Sequence, residues 1–324
     1  MKDEILHILR SNTGFVSGEA ISSRLQVSRA AIWKNINKLR QMGYEIESIT
    51  NKGYRLASSP DILTAEEIKN GLSTKFIGQS VCCYDETDST NNAAKREYTL
   101  PDGTLFIAEI QTGGRGRRGN AWVSPKGSGI WMSLLLKPEI PLKNVAELTL
   151  VTGLAVCRGV NRYLPEDVRS QIKWPNDIVL NGKKICGILT ELSAEIGAVN
   201  YVVTGMGINV NTPQFCEDLS QKATSLFLET GKTYKRAELA QSVLEEFELL
   251  YTAYLAEGFS AIAEDYKRNC ITLNKMVSIT KGHESFTAKA LDIAADGQLI
   301  VEKDGESILV QSGEVSVRGI YGYI

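Results

Sequence analysis

The segment with the most evident chemistry is a glycine- and arginine-rich stretch, residues 111–122. It contains four glycines and three arginines, and no acidic residue occurs between Gln111 and Pro138. Glycine lets backbone N–H groups approach an anion, and the arginine guanidinium offers forked donors that match phosphate or carboxylate. We interpret the stretch as a flexible cationic loop that binds an anion, and a solvated basic surface loop is the alternative.

Two common phosphate-binding loops do not account for this stretch. Gly114, Gly116 and Gly119 satisfy the pattern G-x-G-x-x-G. The dinucleotide-binding version of that pattern must open a helix, however, and residues 122–127, which include a proline, cannot start one promptly. A Walker A loop is excluded because no Gly-Lys-Ser/Thr follows.

Three other polar clusters could complete a site with this loop. Residues 173–177 bring together a lysine, an indole, an amide and a carboxylate just before a predicted hairpin, and Lys184 lies on its return strand. Residues 205–211 combine small residues with two amides, and residues 88–92 form a polar turn. Singly, each has a structural explanation as a core aromatic, a cap, a bulge or a turn. Together they favour a phosphate-bearing substrate, and Asp177 could hold Mg²⁺ through oxygen.

The N-terminal segment has the pattern of a DNA-binding domain. Ile5, Leu6 and Leu9 predict a first helix, and Ser17 can cap a second one that runs to Leu25. After a short turn, Ser28 can cap a third helix with apolar residues at 32, 36 and 39. Two helices across such a turn are typical of a helix-turn-helix, in which the second is the recognition helix.

A hairpin wing and a basic charge support this interpretation. Residues 44–49 alternate like a strand, residues 51–53 turn, and residues 54–56 return. Residues 1–57 carry a net charge of +4, whereas the remaining 267 residues carry −6. The candidate DNA-binding residues are Ser28, Arg29, Lys34, Asn35, Lys38 and Lys52. A small helical cap with solvated lysines is the alternative.

The rest of the chain is predicted to form a mixed domain and a small all-β domain. Strands are predicted at 104–112, 130–136, 178–180, 183–192 and 201–204, and helices at 145–163, 235–254 and onward to 269. The dipeptide Asn181-Gly182 favours a type I′ turn. From Cys270 onward, short strands alternate with Asp-Gly turns, which is typical of a small β-barrel. We therefore predict an α+β protein with domains 1–60, 61–269 and 270–324.

Composition excludes several other classes of site and location. The two histidines, His7 and His283, are too few for a histidine-rich metal site. The six cysteines show no zinc spacing and no signal peptide precedes them, which favours reduced thiols in the cytoplasm. The uncharged run 196–216 contains a proline, three asparagines and three glycines, so we predict a strand and loop with no membrane partner.

Three of these motifs resemble a known family. Residues 114–122, 173–177 and 205–211 look like the signature blocks of biotin protein ligases, in the same order. With the winged helix in front, essentially the whole chain resembles the bifunctional biotin ligase and biotin-operon repressor type. The resemblance implies a winged helix-turn-helix, a central mixed α/β domain of class II synthetase-like fold and an SH3-like C-terminal barrel.

The resemblance implies a two-step reaction that needs ATP and Mg²⁺. Biotin is first converted to biotinyl-5′-adenylate, which then acylates a lysine of the biotin carboxyl carrier protein of acetyl-CoA carboxylase or of other biotin-dependent carboxylases. Clustered cations suit this scheme, because a carboxylate must approach a polyphosphate. The adenylate-bound form is expected to dimerise as a homodimer and to bind operator DNA.

The resemblance also assigns roles to individual residues. Those expected to bind biotin are Ser89, Thr90, Asn91, Gln111, Arg115, Gly116, Arg117 and Lys184. Those expected to bind ATP are Arg118, Trp122, Asn176, Asp177 and Asn209, with Asp177 also a metal ligand. The catalytic residues would be Lys184, Arg117 and Arg118. Two alternatives are a non-catalytic biotin-responsive transcription factor and a lipoate ligase, which shares the adenylation chemistry but not the 173–177 block.

Overall fold

The structure of the protein is a computed structural model that describes residues 1–195, 198–281, 284–312, 315–319 and 323. Its internal contacts divide the chain into two compact units, Met1–Ile62 and Leu63–Ile324. The first boundary lies two residues beyond the predicted one. The predicted boundary at residue 270 does not coincide with a division of contacts and stays a prediction.

The first unit contains three helices followed by a two-stranded hairpin. Its elements are α1 (Lys2–Arg10), α2 (Gly18–Leu25), α3 (Arg29–Gln41), β1 (Glu45–Ile49) and β2 (Gly53–Ser58). Ser17 and Ser28 cap α2 and α3 as predicted, since their hydroxyls accept the N–H groups of Ala20 and Ala31. The helix-turn-helix and the wing are thereby confirmed.

The apolar positions of these helices form the core of the first unit. Ile32, Ile36 and Leu39 of α3 are fully buried against α1 and α2. The wing is attached through Gly53, whose φ is +105° and where a Cβ would lie 2.0 Å from the Val16 carbonyl oxygen. Only glycine allows this close approach.

A seven-stranded sheet forms the centre of the second unit. Its strands are β3 (Val81–Tyr84), β4 (Thr104–Ala108), β5 (Gly129–Leu136), β6 (Gln171–Lys173), β7 (Asp177–Leu180), β8 (Lys183–Glu195) and β9 (Ala198–Asn209). The order is β3-β4-β5-β9-β8-β7-β6, and only β3 and β4 are parallel. Asn181 and Gly182 have φ of +47° and +80°, as the predicted type I′ hairpin requires. The strand predicted at 104–112 ends at Ala108, because Gln111 forms only isolated bridges beyond it.

Helices cover both faces of this sheet. They are α4 (Ala65–Lys69), α5 (Thr90–Arg96), α6 (Glu147–Asn161), α7 (Glu217–Ser220), α8 (Leu226–Thr230), α9 (Arg236–Glu257) and α10 (Ser260–Asn269). Helices α6 and α9 pack against each other in the main core, with Leu154 and Phe247 fully buried. Helix α5 packs with Phe106 in a separate small core.

The C-terminal part is a five-stranded antiparallel sheet. Its strands are β10 (Met276–Lys281), β11 (Glu284–Ile293), β12 (Leu299–Lys303), β13 (Glu306–Val310) and β14 (Val315–Gly319), in the order β13-β12-β11-β10-β14. Val277 and Ile279 join the main core, and the Trp174 indole N–H donates to the Gly297 carbonyl at 3.1 Å. This sheet therefore packs against residues 173–177, which connect β6 to β7.

Candidate active site

Two adjoining cavities lie at the ends of the central strands. The larger has a volume of about 590 Å³, and the smaller lies between α5, the glycine-rich loop and strands β8 and β9. All eight residues predicted for biotin line the smaller cavity, and all five predicted for ATP line the larger. Residues that line both are Gly116, Arg117, Trp122, Asn176 and Lys184. The structure thus brings the three sequence clusters and the polar turn together at one place.

The larger cavity is strongly cationic. Its basic lining residues are Arg117, Arg118, Lys173, Lys184 and Lys222, and its single acidic residue in the described part of the chain is Asp177. An excess of fixed positive charge in a concave site attracts and stabilises a polyanion. This charge distribution fits a nucleotide better than it fits a neutral ligand.

Lys184 of β8 and Asp177 of β7 form an ion pair across the β7–β8 hairpin. Lys184 Nζ lies 2.5 Å from Asp177 Oδ1, and a register irregularity in the β7–β8 pairing precedes the Val179–Lys184 pair. The Tyr323 hydroxyl donates to Asp177 Oδ2. Lys173 Nζ in turn lies 3.5 Å from the centre of the Tyr323 ring. The sequence clusters did not include Tyr323, which no motif singles out.

Arg117 connects the loop to two other segments. It donates to Asn176 Oδ1 at 3.0 Å and also to the Ser312 carbonyl, in the turn that follows β13 of the C-terminal sheet. Burial lowers the pKa of the Arg117 guanidinium from its ordinary value, but the nearby Asp177 carboxylate opposes that shift. Arg118 adopts the left-handed backbone, with φ of +58°, and its side chain lies 3.4 Å from the Thr280 carbonyl. The two arginines therefore fix the loop to the C-terminal sheet.

Glycines on β8 and β9 make room for Trp122. A Cβ on Gly207 would lie 2.5 Å from Trp122 Nε1, and one on Gly187 would lie 3.0 Å from Trp122 Cζ3. The two glycines are direct neighbours across the strands. The Trp122 indole N–H is buried and has no acceptor among the described residues. A buried donor without a partner is costly, so a ligand acceptor would stabilise it.

A hydrogen-bonded network forms the floor of the smaller cavity. Gln111 Oε1 accepts from the Thr90 N–H and hydroxyl at 2.9 and 3.1 Å. The Ser133 hydroxyl lies 2.6 Å from Asn91 Oδ1, and Asn91 Nδ2 donates to Glu191 at 2.7 Å. Ser133 and Glu191 are not predictable as site residues from sequence, because a serine and a glutamate inside strands carry no distinguishing pattern.

The remaining predicted site residues have defined partners or positions. Ser89 lies at the N-cap position of α5 and is buried, yet its side chain makes no capping bond, so capping does not account for it. Arg115 donates to Asn92 Oδ1 at 2.7 Å. Asn209 donates to the Thr224 carbonyl at 3.1 Å, which orients its amide at the edge of the larger cavity.

The predicted DNA-binding residues lie on the surface of the first unit. Ser28, Arg29, Lys34, Lys38 and Lys52 are exposed, and Asn35 is partly exposed. Within the first unit, Arg40 links α3 to the wing, donating to the Ile46 carbonyl at 2.6 Å. Trp33 of α3 was not among the predicted DNA-binding residues, and its 60% exposure is unusual for an indole. An exposed aromatic residue on a recognition helix is suited to apolar contact with a thymine methyl group.

Comparison with known proteins identifies three segments. The sequence model of the biotin/lipoate A/B protein ligase family matches residues 81–209, a helix-turn-helix domain model matches residues 2–55, and a biotin protein ligase C terminal domain model matches residues 272–318. None of the helices in the described residues is long and apolar enough to cross a membrane.

Relatives match the chain over nearly its full length. The bifunctional ligase/repressor BirA of Bacillus spizizenii is 40% identical over 93% of both chains, and that of Bacillus subtilis is 38% identical over 98% of both. The Escherichia coli protein of the same name is 31% identical over 98% of this chain and 99% of its own. Among solved structures, a biotin protein ligase from Aquifex aeolicus in complex with biotin and ATP is 30% identical, with a TM-score of 0.66, and the match covers 74% of this chain and 99% of that one.

Proposed function

Because the chain belongs to the family of bifunctional biotin ligase/repressors, we propose that its two cavities hold biotin and ATP side by side. The chain is an ATP-dependent biotin protein ligase and a DNA-binding repressor. The observation that carries the assignment of the site is the charge of the larger cavity, five cations against one carboxylate, next to a smaller cavity whose lining includes the amides and hydroxyls of Ser89, Thr90, Asn91 and Gln111.

The reaction follows from this arrangement. A biotin in the smaller cavity would direct its carboxylate toward the residues shared by both cavities, where the α-phosphate of ATP would lie. The carboxylate oxygen attacks the α-phosphorus, the bond to pyrophosphate breaks, and biotinyl-5′-adenylate forms. A carrier-protein lysine amine then attacks the acyl carbon and releases AMP and a proton. Prepositioning two anions in this way removes much of the entropic barrier to their encounter.

Lys184 and Arg117 would stabilise the charge that develops in the first step. Both lie between the cavities, so each can contact the biotin carboxylate and the attacked phosphate. Arg118, Asn176 and Asn209 would hold the nucleotide. Fixed donors that point at developing charge are among the largest contributions to catalysis.

Trp122 would contact the adenine and cover the product. Its indole lies against Gly187 of β8 and Gly207 of β9, and its N–H has no acceptor among the described residues, so we propose that a ligand atom supplies one. Excluding water from an acyl adenylate protects it from hydrolysis. To open for substrates, the loop would release the contacts of Arg117 and Arg118 with the Ser312 and Thr280 carbonyls, and its glycines give the backbone the freedom for that movement.

The residues present do not fit a resident Mg²⁺ site. Asp177 is the single carboxylate of the larger cavity in the described chain, and its two oxygens contact Lys184 and Tyr323. The described residues contain no group of three His, Cys, Asp or Glu side chains that could hold a metal ion. Mg²⁺ commonly binds through substrate phosphates, so we treat it as part of the MgATP substrate.

The first unit would bind a two-fold operator as a homodimer that the adenylate promotes. Arg29, Lys34, Lys38 and Lys52 would contact phosphates or base edges, with Ser28 and Asn35 beside them. The carrier protein of acetyl-CoA carboxylase and of other biotin-dependent carboxylases would be the acceptor in the second step. Six free cysteines fit the reducing cytoplasm that we propose as its location.

The decisive test is biotin-dependent exchange of labelled pyrophosphate into ATP. We expect exchange only when biotin and MgATP are both present, followed by labelling of a carrier protein when biotin is radioactive. If biotin produces no pyrophosphate exchange, the ligase assignment is contradicted and the non-catalytic transcription factor is favoured. Exchange driven by lipoate instead would favour a lipoate ligase.

The repressor activity is tested separately, by selection of bound duplexes from a random pool. Full-length protein with biotin and ATP should enrich a two-fold symmetric sequence. Protein lacking residues 1–62 should retain pyrophosphate exchange and enrich none, since the contact division separates this unit from the rest. If the truncated protein still enriches a specific duplex sequence, the winged helix is not the domain that recognises the operator.

A further inference from the structure

Glu191 of β8 does not line the smaller cavity but contacts Asn91, which does. Its Oε2 accepts from Asn91 Nδ2 at 2.7 Å, and its Oε1 lies 2.5 Å from Lys95 Nζ of helix α5. Both partners of this ion pair are partly buried, with 33% of the Lys95 side chain and 28% of the Glu191 side chain exposed. No sequence motif includes either residue.

The amide of Asn91 has a single orientation in this network. Its Nδ2 donates to both Glu191 and the Leu189 carbonyl, at 2.7 and 3.2 Å, which uses both of its hydrogens. Its Oδ1 lies 2.6 Å from the Ser133 hydroxyl and retains a second lone pair. The oxygen lies against Gly205 in the wall of the cavity, where a Cβ would come within 2.2 Å of it.

We propose that Glu191 is a positioning residue that holds Asn91 with its oxygen available to the ligand, so that the smaller cavity selects a ring carrying an N–H donor. This inference rests on the proposed function, since it concerns the biotin-binding cavity. Asn91 touches the ligand, whereas Glu191 acts through Asn91.

The charge of Glu191 is what enforces the orientation. An ionised carboxylate accepts hydrogen bonds only, so it must face the NH₂ group and repels the amide oxygen. Burial raises the pKa of Glu191, but hydrogen bonds from Lys95 and Asn91 outweigh it, and the pKa is lowered overall. The carboxylate is therefore ionised at neutral pH, and Lys95 balances its charge.

A requirement for an N–H donor on the ligand ring would distinguish biotin from lipoate, the two ligands in the name of the matched family. The urea ring of biotin offers N–H donors, whereas the dithiolane ring of lipoate has none. A ligand without an N–H would leave the second lone pair of Asn91 Oδ1 unused, with Ser133 as its remaining partner among the described residues. A site built to hydrogen-bond a polar group discriminates strongly against an analogue that lacks it.

The experiment compares Glu191→Leu and Glu191→Gln with Asp265→Asn as the control. The control removes the charge from the Arg158–Asp265 ion pair, whose side chains are 34% and 30% exposed and which lies between α6 and α10. Each protein is assayed in full length for pyrophosphate exchange with biotin and with the two biotin derivatives singly methylated at a ureido nitrogen. Thermal unfolding of each protein is recorded in parallel.

We expect Glu191→Leu to raise the KM for biotin at least tenfold while kcat and the KM for ATP stay within twofold of wild type. The preference of wild type for biotin over the more discriminated methylated derivative should fall at least fivefold. Glu191→Gln can still accept from Asn91 Nδ2 but does not enforce the orientation, so its KM for biotin and its preference should lie between those of wild type and Glu191→Leu. It also provides the test if the leucine variant does not fold. A purely structural role would lower the unfolding temperature without changing that preference.

The inference is overturned if wild type exchanges pyrophosphate with biotin but both Glu191 variants keep the wild-type preference, as Asp265→Asn should. If wild type shows no exchange with biotin, the proposed function itself fails. The two failures are thus distinguishable.

Discussion

Lys184 Nζ lies 2.5 Å from Asp177 Oδ1 across the β7–β8 hairpin, between the two cavities of the central domain. The pair holds the ammonium group where the two cavities adjoin, since Lys184 lines both. An incoming phosphate or carboxylate would compete with Asp177 for this cation, so the same lysine can be held in place before binding and then stabilise substrate charge.

Replacing Lys184 by Gln should reduce pyrophosphate exchange far more than it reduces stability. Removal of one fixed donor to developing charge costs about 100-fold in kcat or more. Lys184 is partly exposed, so its loss should change the unfolding temperature only slightly. Steady-state exchange and calorimetry measure the two effects, and a variant with normal turnover would exclude Lys184 from the reaction.

Replacing Gly205 by Ala should weaken biotin binding selectively. The added Cβ would lie 2.2 Å from Asn91 Oδ1, so Asn91 must move and its hydrogen bonds are lost. Loss of a buried hydrogen bond costs about 1–3 kcal/mol, so we expect the KM for biotin to rise about tenfold or more.

The matched control for Gly205 is Gly153→Ala in helix α6. A Cβ there would meet its nearest neighbours at 3.7 and 3.8 Å, which is ordinary packing distance. The control should keep the wild-type KM for biotin. Equal effects of the two substitutions on that KM would mean that Asn91 does not contact the ligand.

The elements were predictable from sequence where local patterns determine them. Ser17 and Ser28 mark the starts of α2 and α3, and Asn181-Gly182 marks the β7–β8 hairpin, because capping and left-handed turns depend on neighbouring residues alone. The end of β4 was predicted four residues too late. Ile110 and Thr112 continue the apolar and β-branched pattern past Ala108, but the ladder pairing ends there and Gln111 forms only isolated bridges.

The candidate site was predictable only as a set of separate motifs. Their meeting at two adjoining cavities depends on the order of β5, β9, β8 and β7 in the sheet, which no local pattern specifies. Tyr323 and Glu191 were missed for the same reason, since they are 146 and 100 residues from the site residues that they contact. Only the fold gives these residues a function.

Replacing Lys34 or Trp33 should weaken DNA binding and leave the ligase intact. Lys34→Ala should lower affinity for all duplexes and reduce the slope of log affinity against log salt by about 0.9 if Lys34 contacts one phosphate.

Trp33→Ala should instead reduce discrimination at one base pair, since an apolar side chain can contact a base edge. Fluorescence anisotropy at several salt concentrations measures both effects. Parallel losses on specific and random duplexes for Trp33→Ala would argue against base contact.

Arg236 and Glu109 form a buried ion pair that should make stability depend on both partners. Arg236 is 1% exposed and donates to Glu109 Oε2 at 2.9 Å and to the Gly129 carbonyl at 3.2 Å. Burial raises the pKa of Glu109, but the hydrogen bonds and charge of Arg236 outweigh it, so the pKa is lowered overall. In the wild type, this carboxyl therefore stabilises the fold above its unfolded pKa, and the contribution is lost as pH falls through the folded pKa.

Arg236→Met should destabilise the second unit by about 3–5 kcal/mol near neutral pH, because it leaves a buried carboxylate without its cation. Without Arg236, burial dominates and the pKa of Glu109 should rise above its unfolded value. The group then contributes stability below the unfolded pKa and loses it as pH rises through the folded pKa. The difference in unfolding free energy between the two proteins should therefore shrink as pH is lowered from 7 toward about 4, the range of an ordinary glutamate. Urea unfolding at a series of pH values measures this difference in unfolding free energy. If the difference stays constant over the range, the pKa of Glu109 in the folded state does not depend on Arg236.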